Sequence, residues 1–131
     1  MIVLHSQVPT WKDLELRVFM CASASDDDTT MRQVRLRENL QQLRIKAKVV
    51  VATWQDGSSP AVDNENDADR ATRVNSLLLQ NSASTAVMFL HLPLPTNDTS
   101  SDYLSALSLL TENLPPVILV HGISPVTSVN L

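Results

Sequence analysis

The chain has 131 residues, enough for one core of its own, and its 44% hydrophobic and 18% charged content is that of a globular protein and not a disordered tail. A net charge of -4 and a pI near 5.2 argue against a nucleic-acid binder, which needs a basic surface to neutralise phosphates. With Cys21 alone the chain can form neither an internal disulfide nor a thiolate metal cluster, which suits a reducing compartment.

No apolar run approaches the roughly 18 to 20 residues a membrane-crossing helix needs. The longest are 49–52, 86–92 and 117–120. Residues 1–4 lack the charged start, long apolar core and small-residue cleavage site of a signal peptide, so secretion is not expected.

In chain order, Leu14, Leu16, Val18 and Met20 alternate with Glu15, Arg17 and Phe19, the period of two expected of a first strand with one face more buried than the other. After the acidic loop 23–28, Thr30 and Gln33 make a capping-box pattern that predicts a helix start. Met31, Val34, Leu36, Leu40 and Leu43 then recur at helical steps, with Arg32, Arg35, Glu38 and Gln42 facing water. The valine run within 48–53 predicts a second strand covered on both faces.

Residues 55–67 turn polar and acidic, with Gly57, Pro60 and several Asn and Asp, the composition of a flexible loop. Asn66 is placed to cap a second helix that carries Ala68, Ala71, Val74, Leu77 and Leu78 on one side. Residues 85–92 predict a third strand, ended by Pro93 and Pro95. Leu104, Leu107, Leu110 and Leu114 mark a third helix after 99–101, stopped by Pro115 and Pro116, and 117–120 is a fourth strand. The order βαβαβαβ predicts an α/β fold, a parallel sheet with helices on its faces, as a single domain over 1–131.

Chemistry-bearing residues are sparse. With Gly57 and Gly122 the only glycines, no phosphate-cradling loop can form, so no cofactor site is expected. His5, His91 and His121 lie far apart in sequence, without Cys or acidic neighbours at metal-ligand spacing, and no metal site is expected. His91 and His121 do fall near the C-terminal ends of two strands and could meet in space, where a structural pairing is the plainer reading. Cys21 reads as a buried structural thiol, because Asp26, Asp27 and Asp28 offer the opposite of an activating environment. No catalytic residue is expected.

Arg32, Arg35, Arg37, Arg44, Lys46 and Lys48 against Glu38 concentrate positive charge in an otherwise acidic chain. Arg32, Arg35, Arg37, Lys46 and Lys48 are candidates for docking an acidic partner surface, an intracellular loop or anionic headgroups, beside the plain alternative of a solvated helix face. Ser23, Ser25, Thr29 and Ser100 are candidate modification sites, since phosphate at a helix start gains from the dipole; helix caps and solubility are the competing explanation.

The stretches NSLLLQNSASTAVMFLHLPLP and YLSALSLLTENLPPVILVHG resemble the end of the cation-chloride cotransporters, solute carrier family 12. In that family a helix with paired leucines leads to an apolar strand closed by prolines, a leucine-rich helix, a Leu-Pro-Pro break and a last strand ending in Gly. WKDLELRVFM and MRQVRLRENLQQLRIKAKVVV resemble the same domain's earlier strand, helix and strand, so the likeness covers 11–131. Where most members have arginine before the final glycine, this chain has His121, a departure that leaves any role of that arginine in doubt here and, with FLHLP and VHGISPVTSVNL, is similar to one branch of the family.

The resemblance implies a cytoplasmic regulatory and dimerisation domain of a membrane protein that moves chloride with potassium or sodium, or that modulates such transporters. Its implied partners are a second copy or another cotransporter subunit and the parent's transmembrane part. A reading of another class is a stand-alone nucleotide or small-ligand module of the universal-stress type, which shares the element order and which the missing glycine-rich loop disfavours.

Overall fold

The computed structural model describes residues 9–23, 28–54, 66–95 and 99–122. The loop 55–65, His5, Ser25, Asp26, Asp27 and the tail after Gly122 lie outside the described residues. Among the described residues the architecture is mixed α/β, with three α-helices and two small parallel sheets, and the chain divides into two compact units, Met1–Asn64 and Glu65–Leu131.

In the first unit a 3-10 turn, Pro9–Trp11, precedes β1 (Arg17–Ser23), α1 (Thr29–Gln42) and β2 (Lys48–Trp54). β1 and β2 pair in parallel from Arg17 opposite Lys48 to Ser23 opposite Trp54, and the Lys48 amide donates to the Leu16 carbonyl at 2.8 Å just ahead of the pairing. Val49, Ala52 and Trp54 are buried on β2 and Ala22 on β1, so this unit's core lies along the strand pair. The first strand begins three residues later than the alternation from Leu14 predicts; Leu14 is exposed.

The predicted capping box at Thr30 and Gln33 does not form. α1 starts at Thr29, and its N-cap, Asp28, sits at φ -87° and ψ -1° and makes no side-chain capping bond to the helix amides, because a residue already in helical geometry cannot aim its carboxylate back at them. The helix end is better built. The Ile45 amide donates to the Leu40 carbonyl at 2.8 Å and the Arg44 amide to Gln41 at 2.9 Å, a Schellman motif whose left-handed position is taken by Arg44 at φ 55°.

The second unit runs α2 (Asp67–Asn81), β3 (Met88–His91), α3 (Ser100–Thr111) and β4 (Val117–Val120). β3 and β4 pair in parallel, Met88 opposite Val117 through His91 opposite Val120, and the bonds Met88 N to Pro116 O and Leu92 N to Val120 O, both 2.8 Å, extend the ladder at each end. β3 is shorter than the predicted 85–92, whereas β4 matches its prediction residue for residue. Asn66 caps α2 as predicted, its Oδ1 accepting from the Asp69 amide at 2.8 Å. Thr99 caps α3 by accepting from the Asp102 amide at 3.3 Å while its hydroxyl donates to the Asp102 carboxylate at 2.5 Å.

Ala71 and Leu77 of α2 and Leu110 of α3 are buried, while Leu104, on the predicted leucine stripe, is 63% exposed. Between them lies a residue that the apolar pattern hides. Asn75 is buried, and its Nδ2 donates to the carbonyls of Leu110 at 3.0 Å and Glu112 at 2.8 Å. These carbonyls belong to the last turn of α3, where a helix has no further amides to offer. α2 thus supplies donors that α3 lacks.

All three helices are followed by a non-glycine residue at positive φ: Arg44 at 55°, Ser84 at 59° and Asn113 at 56°. Asn75→Ala should lower stability by about 1–3 kcal/mol in urea unfolding, because it strands both carbonyls, and Leu110→Ala should cost about 2–5 kcal/mol. An Asn75→Ala midpoint equal to that of the parent chain would show that the α3 end is satisfied without it.

Candidate functional site

The basic segment is where the structure adds most to the sequence. A helix turns about 100° per residue, so Arg37 lies about 140° round α1 from Arg32 and about 160° from Arg35. Leu36 and Leu40, half-buried, set the inward face, while Met31 and Val34 are exposed, so the predicted apolar stripe is narrower than five residues. The docking candidates therefore do not form one face.

Arg37 and Lys46 are brought together instead with Arg44, around an open depression of about 340 Å³ floored by Leu40 and Ile45. The Schellman hydrogen bonds fix Leu40 against Ile45 and throw the chain sharply round at Arg44, which is what gathers cations from the helix, its cap and the following turn. All three cations are exposed and, among the described residues, none is paired with a carboxylate. They also lie at the negative end of the helix dipole, which favours positive charge there. Three cations over an apolar floor suit an anionic group carried on an apolar neighbour, such as an acidic side chain beside a hydrophobic one.

Arg32 and Arg35 are exposed on the other side of α1, and Lys48 is exposed at the first position of β2. Arg44 was visible in the charge count, but its membership of the site depends on a left-handed turn that no charge pattern announces.

The modification candidates separate cleanly. Ser100 is exposed at the first position of α3, next to the Thr99 cap, where added negative charge meets the positive end of the helix dipole. Thr29 opens α1, but its hydroxyl oxygen is buried and has no hydrogen-bond partner, so a kinase would have to unseat the helix start to reach it. Ser23 ends β1, and Ser25 lies outside the described residues.

Cys21 is exposed, which corrects the expectation of a buried thiol: β1 runs on to Ser23 and turns Cys21 outward while Ala22 is buried. Partial burial around the sulfur still raises its pKa above the ordinary cysteine value, so it stays protonated at neutral pH. His91 and His121 do meet, with ring centroids 6.0 Å apart and planes at 73°. Among the described residues no group of three or more His, Cys, Asp or Glu is arranged to hold a metal ion, and no helix is long and apolar enough to cross a membrane.

Comparison with known proteins fixes the class. The family model for solute carrier family 12 matches residues 57–128, and the chain belongs to that family. Within it the chain is similar to solute carrier family 12 member 9 of Danio rerio, 33% identical over 130 residues, covering 92% of this chain and 14% of the relative. It is also similar to member 9 of Xenopus laevis, 30% identical over 148 residues, with all of this chain and 16% of the relative covered. Member 1 of Oryctolagus cuniculus is 33% identical over 91 residues, 67% of this chain and 8% of the relative. The chain thus spans under a fifth of the length of these curated relatives, and the member 9 likeness agrees with the branch suggested by His121 and FLHLP.

Two measurements probe the site's chemistry. Alkylation of Cys21 by iodoacetamide should show a pH midpoint above that of a free cysteine peptide, and a midpoint at or below the peptide's would mean an activated thiol. Arg44→Gly should raise stability by up to about 1 kcal/mol, since glycine takes positive φ without the Cβ clash, although part of the gain is returned as unfolded-chain entropy. A thermal midpoint lowered by Arg44→Gly would show that its side chain contributes more to the fold than its backbone geometry costs.

Proposed function

We propose that this chain is a cytoplasmic regulatory and dimerisation domain of a cation-chloride cotransporter-like membrane protein. The parent would move chloride with potassium or sodium, or modulate transporters that do. The observation that carries the reading is membership of solute carrier family 12 through a segment with no span-length apolar helix among its described residues. A piece of a transporter without such a helix acts on transport through contacts and not by holding the ion.

The contact surface we assign is the depression bounded by Arg37, Arg44 and Lys46, while Arg32 and Arg35, on the other side of α1, and Lys48, at the start of β2, lie outside it. Its occupant is an acidic surface of the parent's transmembrane part or of another cotransporter subunit. Ser100 is the modification site the geometry favours, because its hydroxyl is exposed beside a helix N-terminus. A continuous βαβαβαβ winding that joins both units in one domain belongs to the same reading, supported by parallel pairing within each unit.

Sedimentation equilibrium of the purified chain over a tenfold concentration range tests the pairing. A reversible dimer is expected, weakened by truncation after Pro116, which removes β4. A strict monomer would remove the dimerisation role from this segment. Thermal stabilisation by ATP would favour the stand-alone nucleotide module instead, because a ligand that binds the native state raises its stability.

A further inference from the structure

We propose that His91 and His121 form a two-imidazole site for a divalent transition-metal ion of the zinc, nickel and copper class. The inference rests on where the two parallel strands end. His91 is the last residue of β3 and His121 follows the last residue of β4, and both are exposed. The His91–Val120 pairing and the Leu92 N to Val120 O bond of 2.8 Å fix the two strand ends against one another, so the rings project from a hydrogen-bonded platform and not from free loops.

The spacing suits chelation. A metal held about 2.0–2.1 Å from an imidazole nitrogen lies about 3.2 Å from that ring's centroid, so two rings on one tetrahedral ion have centroids about 5.2 Å apart. The observed separation is 6.0 Å. Both side chains are exposed, so side-chain rotation is the movement that would close the difference. Neither imidazole has a hydrogen-bond partner among the described residues, so their nitrogens are open to ligation. Imidazole nitrogen prefers zinc, copper and nickel over magnesium or calcium.

With two protein ligands the remaining positions go to water, which makes the site a reversible one of modest affinity. A bound ion would clip the exit of β3 to the exit of β4. It would sit close to Pro93, whose carbonyl accepts from the Tyr103 hydroxyl at 2.9 Å and so ties the same strand end to α3.

The test is a titration of the 131-residue chain with zinc chloride, followed through the imidazole resonances in ¹H–¹⁵N spectra. A one-to-one binding curve is expected, with His91 and His121 shifting together and saturating by millimolar zinc. His91→Gln and His121→Gln should each weaken binding at least tenfold, whereas His5→Gln and Cys21→Ser should leave it unchanged. The proposal is overturned if the two histidines do not move at millimolar zinc, if one still responds fully when the other is replaced, or if Cys21→Ser abolishes binding. The spectra of the unmodified chain decide the first point even where a variant fails to fold.

Discussion

Two strands that run the same way cannot be joined by a tight turn; the chain must return to the starting end first, and that takes a crossover of roughly a dozen residues or more. Both strand pairs here are parallel, so α1 between β1 and β2 and α3 between β3 and β4 are obligatory parts of their sheets. Everything of functional interest sits where a crossover begins or ends. The cationic depression lies at the exit of α1, Ser100 at the entry of α3, and the histidine pair at the C-terminal strand ends, where the second crossover starts.

α2 is not a crossover within either pair, and its contribution is of another kind. Through Asn75 it supplies two hydrogen-bond donors to the last turn of α3, which would otherwise bury carbonyls without partners. Replacing that amide by an apolar group of similar volume would therefore differ from ordinary core repacking, because it removes a helix cap delivered from a neighbouring element.

The helices and strands were legible wherever a local signal was strong and unopposed. β4, bracketed by Pro115, Pro116 and Gly122, falls on its predicted residues, and Asn66 caps α2 as its position before Asp67 and Asp69 suggested. Misreadings came where long-range pairing overrode local pattern. The alternation from Leu14 continues a strand backwards that β2 does not extend to meet, and Cys21 turns outward because the pairing carries β1 on to Ser23 opposite Trp54. Asn75 is illegible in the sequence, because a polar residue on an apolar stripe has no meaning until its tertiary acceptors are known. Of the basic cluster, the charge excess was readable and its partition was not. That partition follows from the phase of α1 and from the left-handed turn at Arg44.

That turn puts Arg44 both at the edge of the depression and at a left-handed backbone position. A non-glycine residue in the left-handed region holds about 1–2 kcal/mol of conformational energy that the chain recovers if the turn opens. An anionic occupant gripping the Arg44 guanidinium would hold the turn shut. Losing it would free the end of α1 and, one step on, the entry to β2, at less cost than unfolding the unit. Occupancy of a surface depression would in this way set how firmly the first crossover is latched, and the latch would register an occupant as local rigidity.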